Sequence, residues 1–89
     1  IKPEGRIDVT TAVPFGYEVN DLLDDNEEVV ELIVDFADIT YVSSMGLRVL
    51  LELQKRMNSI GTMNLINVSA GVNDIFKMTG FDKILTVIC

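Results

Sequence analysis

The stretch YVSSMGLRVLL (Tyr41–Leu51) sets two hydroxyls, Ser43 and Ser44, immediately before a run of helical periodicity. A hydroxyl in that position can cap the helix by accepting a hydrogen bond from a backbone amide, typically worth ~1 kcal/mol over alanine. It can act as a nucleophile, which needs a base to take its proton. It can also be offered to another protein as a phosphate acceptor, gaining roughly −1.5 to −2 units of charge. The second option has no support in the chain. There is no histidine, so a Ser-His-Asp triad and a histidine metal site are both excluded. The single cysteine, Cys89, cannot build a thiolate zinc cluster or an internal disulfide. Neither GxxxxGK[ST] nor GxGxxG occurs, so a phosphate-cradling loop is not indicated. The expectation is therefore a protein that is not an enzyme and holds neither metal nor cofactor.

Three further residues bear on the serines. Gly46 falls in the first helical turn, where it costs about 1 kcal/mol against alanine. Its missing side chain is read here as leaving the helix mouth open to another molecule. Asp35 and Asp38 close the preceding apolar strand and, as strand-ending and turn residues, have a sufficient local explanation. Carboxyl ends of strands are also where α/β folds place their sites. On that reading both carboxylates border the serines and help shape a docking surface, or receive a partner's basic group.

These residues need elements to hold them. VVELIVDF (Val29–Phe36) is dense in β-branched and apolar residues, which predicts a strand covered on both faces. TMNLINV (Thr62–Val68) and ILTVIC (Ile84–Cys89) read as further strands, and IKPEGRI (Ile1–Ile7) as the end of another. Between them lie three helical segments. In the first, Phe15, Val19, Leu22 and Leu23 form an apolar stripe, with Thr10 or Thr11 as cap. In the second, Leu47, Leu50, Leu51, Leu53 and Met57 face inward, Arg48–Glu52 and Glu52–Arg56 are i,i+4 pairs, and Gly61 stops the helix. In the third, Ser69 caps, Val72, Ile75 and Phe76 pack, and Gly80 stops. Strand and helix alternate with short connections, the pattern of one α/β domain with parallel strands over residues 1–89.

Composition narrows the partners. Fourteen acidic residues against seven basic ones give a formal charge of −7. Nucleic acid and anionic membrane both call for a basic face, so neither is expected. No apolar run reaches the roughly 18–20 residues of a membrane-spanning helix. With one cysteine, a reducing cytoplasm is the expected setting, although a fragment of an exported protein would look the same.

The segments GRID (Gly5–Asp8), LIVDFADITYVSSMGLRVLLEL (Leu32–Leu53) and VNDIFKMTGFDKIL (Val72–Leu85), with Gly61 between them, together resemble a STAS domain. More narrowly they resemble bacterial anti-sigma factor antagonists, over nearly the whole chain and in the same order. The resemblance implies a single STAS-like α/β domain, with a mixed, mostly parallel sheet and helices packed largely on one face. It also implies a phosphoswitch. The unphosphorylated antagonist binds an anti-sigma factor that is itself a serine kinase, phosphorylation breaks the complex, and a cognate phosphatase resets it. Counted back from Gly46–Leu47, the phosphoacceptor falls on Ser44. The docking surface then comprises Ser43, Ser44, Met45, Gly46, Leu47 and Arg48 with Asp35 and Asp38, on a monomer or weak dimer. Met45 is bulkier than the small residue usual there. The family's additional first strand, before the GRID segment, is missing from the expected elements. Two other readings remain open at this stage. One is a STAS module of another system, as in a stressosome-type scaffold or the cytosolic domain of an anion transporter. The other is a small enzyme or nucleotide binder using a strand-end pocket.

Overall fold

The computed structural model describes residues 1–26 and 28–88. Cys89, expected to end the last strand, lies outside them. In chain order the elements are β1 (Glu4–Ile7), α1 (Ala12–Asp25), β2 (Glu31–Asp35), β3 (Asp38–Val42), α2 (Ser44–Asn58), β4 (Thr62–Ile66) and α3 (Ala70–Thr79). A short 3-10 turn, Phe81–Lys83, follows.

Every strand pairing among the described residues is parallel: β1 with β3, β2 with β4, and Leu65 with Val87 in an isolated bridge. The amide of Asp35 donates to the carbonyl of Ile1 at 2.8 Å, and the amino group of Ile1 donates to the carbonyl of Ile33 at 3.1 Å. Those two bonds bracket Val34 as a parallel ladder does. β2 and β3 are thus two segments of one bent strand, both running alongside the chain from Ile1 to Ile7. A register shift between Gly5 and Arg6, where Gly5 adopts φ +79°, lets the pairing follow the bend.

Burial along β2 alternates. Leu32 and Val34 are inside, while Ile33 is 43 % exposed and Glu31 is exposed. The expectation of a strand covered on both faces is therefore wrong: this strand has one packed face and one open one. All three helices contribute to a single apolar core, with Phe36, Leu50, Met57, Met63 and Phe76 among its fully buried members. The rings of Phe36, at the bend, and Phe76, on α3, pack tilted with centroids 6.3 Å apart.

The helices form where periodicity places them, with local corrections. On α1 the buried stripe is Ala12, Phe15, Gly16, Val19 and Leu23, whereas Leu22 turns out to solvent. Pro14 stands in the first turn, where no intrahelical donor is lost. α1 and α2 run side by side and in the same direction. Gly16 lies against Val49, and further along Arg56 reaches Asp24 at 2.6 Å and Asn20 at 2.7 Å. Arg56 therefore joins the two helices rather than pairing with Glu52 as its spacing suggested. On α3 the cap is Ser69, whose hydroxyl accepts from the Val72 amide, and Gly80 at φ +79° ends the helix. The expected last strand is mostly irregular, with Leu85 buried and pairing confined to the bridge at Val87.

Candidate functional site

The two serines occupy one corner of the molecule, at the carboxyl ends of β1 and β3. Ser43 is extended and donates its amide to the carbonyl of Ile7 at 2.8 Å, continuing the β1–β3 ladder by one step. Its hydroxyl accepts from the Gly46 amide at 3.2 Å, and its carbonyl accepts from the Leu47 amide at 2.9 Å. Ser43 is the helix cap, and its hydroxyl is engaged inside the first turn. Ser44 is the first residue of α2. It is exposed, and its hydroxyl has no hydrogen-bond partner among the described residues.

The neighbours divide between packing and surface. Met45 is half-buried and lies against the core, and the Leu47 side chain is within it, 5 % exposed. Arg48 is exposed, one turn along from Ser44. Gly46 is buried. A β-carbon there would stand 2.6 Å from the carbonyl oxygen of Ile7, 2.8 Å from its Cγ2 and 2.9 Å from Val42 Cγ1. The glycine thus lets α2 press its first turn onto the ends of β1 and β3. The idea that it holds open an approach to Ser44 is not what its surroundings show.

Asp35 and Asp38 do not border the serines. Asp35 ends β2, whereas Asp38 opens β3, and β3 carries the chain about 16 Å before Ser43 is reached. Asp38 is exposed, with Lys2 Nζ at 3.5 Å. Asp35 accepts from the Ala37 amide at 2.9 Å and from Asn67 Nδ2 at 3.2 Å. Asn67 sits beside it in the left-handed region, at φ 56°. The Ala37 amide, then Asn67, hold the Asp35 carboxyl below the usual carboxylate range. That network pins the bend between β2 and β3.

The acidic residue that does stand at the serine corner is Asp8, which directly follows Ile7 at the end of β1. Its Oδ1 accepts from the Thr10 hydroxyl at 2.8 Å, the Thr10 amide at 3.0 Å and the Thr11 amide at 3.2 Å, and Arg6 Nε lies 3.7 Å from Oδ2. The Thr10 hydroxyl first, then the amides, lower its pKa. In the sequence Asp8 stands out only as the last residue of GRID. The signal for it was local: Asp-Val-Thr-Thr ahead of a helix has the form of an Asx turn.

Both lowered carboxylates have the same consequence for stability. Each binds its proton less readily folded than unfolded, so its contribution is complete above the ordinary carboxylate pKa and is lost as pH falls through the lower folded value. Melting temperature should fall between about pH 5 and 3, and the Asp8→Asn/Asp35→Asn double variant should show a flatter profile over that range. A parallel decline in the two proteins would refute the assignment.

No set of three or more metal-ligating side chains converges among the described residues. A cleft of ≈ 280 Å³ opens between β1 and the start of α1, lined by Arg6, Thr10, Thr11, Pro14 and Glu18 among others, but neither Ser44 nor Asp35 lines it. No helix of the described residues is long and apolar enough to cross a membrane.

Comparison with known proteins agrees with this architecture. The family model for the STAS domain matches residues 1–88. No curated protein matches the sequence significantly. Among solved structures, a putative anti-sigma factor antagonist from Thermotoga maritima superposes with a TM-score of 0.79 at 20 % identity, covering 99 % of this chain and 73 % of its own. An anti-sigma factor antagonist from Mycobacterium paratuberculosis superposes with a TM-score of 0.84 at 18 % identity, covering 98 % and 73 %. The anti-sigma factor antagonist SpoIIAA in its unphosphorylated form does so with 0.79 at 17 % identity, covering 97 % and 75 %. At these identities the likeness is one of fold.

Proposed function

The chain belongs to the STAS domain family, and from that premise we propose that it is a cytoplasmic anti-sigma factor antagonist switched by phosphorylation of Ser44. In the unphosphorylated state it binds an anti-sigma factor serine kinase and thereby releases a sigma factor. Phosphorylation ends that binding, and a phosphatase restores it. The antagonist names of its structural neighbours favour this role.

The observation that carries the reading is the difference between the two hydroxyls. Ser43 is consumed by the cap, while Ser44 is exposed, without a hydrogen-bond partner among the described residues and outside the neighbouring cleft. A catalytic nucleophile would need a base within reach and a concave site around the reacting atom. A substrate hydroxyl needs the opposite, a surface position that another protein's active site can enclose. In the transfer, Ser44 Oγ attacks the γ-phosphorus of ATP held by the kinase. The bond from that phosphorus to the β,γ-bridging oxygen breaks, ADP leaves, and a base of the kinase takes the hydroxyl proton.

The docking surface proposed is the exposed part of the corner: Ser44, Arg48 and the outer edge of Met45. Gly46 and Leu47 are buried beneath it, and the half-buried Ser43 supports it with its hydroxyl turned into the helix cap.

Incubation with the cognate kinase and ATP, followed by phosphopeptide mapping, tests the assignment. A single phosphate on Ser44 is expected, absent from Ser44→Ala, with Ser43→Ala still modified. Normal phosphorylation of Ser44→Ala would overturn it. No phosphorylation of the parent chain would point instead to a STAS module that binds without this switch.

A further inference from the structure

The chain has three arginines, and two are already engaged. Arg6 lies over the Tyr41 ring at 4.5 Å with Asp8 beside it, and Arg56 holds Asp24 and Asn20. Arg48 is exposed and forms no ion pair or side-chain hydrogen bond among the described residues. It stands four residues after Ser44 on the same helix, the spacing at which side chains meet on one helical face. We propose that Arg48 is the clamp for a phosphate on Ser44: the guanidinium folds back along α2 and closes a bidentate pair with the phosphate oxygens. The inference rests on Ser44 as the modified residue and adds what becomes of the phosphate once it is there.

Three features of the corner favour the pair. The negative group lies N-terminal to the positive one, the better order for an i,i+4 pair in the helix field. The planar guanidinium matches phosphate oxygens in pairs, which a lysine cannot do. Two carboxylates that the fold and the helix spacing bring toward this corner are accounted for. Asp8, on the loop after β1, is occupied by Thr10, Thr11 and Arg6. Glu52, one turn beyond Arg48 on α2, carries a single charge where the phosphate carries nearly two.

The clamp changes how the switch works. Phosphorylation would not only place charge at the docking corner but also withdraw its one uncommitted arginine from any partner. A single modification thereby alters two contacts, while the fold beneath them stays as it is.

The test does not depend on the kinase. Phosphoserine is installed at position 44 during translation, and its second ionisation is followed by phosphorus NMR in the parent chain, Arg48→Gln and Arg48→Lys. An adjacent guanidinium favours the dianion, so the midpoint should be lowest in the parent chain. It should rise by about 0.15–0.4 pH unit in Arg48→Gln, with Arg48→Lys between them. Arg48 is exposed, so both variants should fold as the parent does, which circular dichroism will check. Equal midpoints in all three would overturn the clamp and leave Ser44 phosphorylation untouched. A shifted midpoint together with a kinase that ignores Ser44 would uphold the clamp and remove the switch.

Discussion

Alanine at Gly61 or at Gly46 will destabilise the domain more than any other single methyl group added to its glycines. A β-carbon on Gly61 would overlap the backbone carbonyl oxygen of Val30 and approach its Cα to 2.9 Å. That oxygen cannot simply yield, because Val30 also accepts the Thr62 amide at 2.9 Å, the bond that starts the β2–β4 ladder. At Gly46 the obstacles are the Ile7 carbonyl oxygen, which accepts the Ser43 amide, and two core side chains. Overpacking against side chains alone costs about 1–3 kcal/mol, and here backbone must move as well. Losses of about 3 kcal/mol are expected at each site. For a domain of this size that lowers the melting temperature by more than about 10 °C. Gly71 supplies the control. It too lies in the first turn of a helix, but nothing stands within 4 Å of its added β-carbon. Its alanine variant should be as stable as the parent or up to about 1 kcal/mol more so, by helix propensity. Thermal unfolding of the three variants decides the matter. A Gly46→Ala protein melting within a degree or two of the parent would mean that α2 is not pressed against Ile7 as described.

The same glycines show where a sequence stops being informative. That Gly46 lacks a side chain is plain from the chain, but what fills the space is Ile7, thirty-nine positions earlier. Read locally, the gap faced solvent; in the fold it faces β1. Gly61 was legible as the end of α2, yet the helix caps at Ser59, and Gly61 is required by contact with Val30. Periodicity found all three helices because their apolar stripes are intrinsic to each segment. It missed β3, since ADITYV lacks clean alternation. The register shift at Gly5–Arg6 leaves both Thr40 and Tyr41 exposed, so neighbouring residues share a face where period two would separate them. Missing β3 then misplaced Asp35 and Asp38, which were assigned to the end of one strand and in fact flank a bend between two. At the site, the serines were legible because capping is local. Asp8 was not singled out, because its approach to Ser43 depends on the β1–β3 ladder, which joins segments more than thirty residues apart.

Phosphoserine at position 44 should weaken binding to the kinase partner by about 100-fold, and Ser44→Asp by about tenfold, while Ser44→Ala stays within a few-fold of the parent. The ordering follows from what each residue leaves at the corner. Alanine removes a hydroxyl that makes no hydrogen bond among the described residues, so no hydrogen bond of the fold is lost and α2 keeps its cap on Ser43. Aspartate adds one charge on a short stem, favourable to the helix N-terminus but unfavourable to a surface built around the neutral residue. Phosphate adds nearly two charges and three oxygens, with enough reach to engage Arg48 as well. Like charges brought together at an interface cost several kcal/mol, and each 1.4 kcal/mol is a factor of ten. Calorimetry of the three forms against the unmodified partner, at low and at raised salt, separates charge from shape. If charge dominates, raised salt should recover part of the affinity lost by the aspartate and phosphoserine forms and leave alanine unmoved. A loss with alanine as large as that with aspartate would show that the partner reads the hydroxyl itself. The corner would then be a binding epitope whose modification is incidental, and the switch would have to lie elsewhere in the complex.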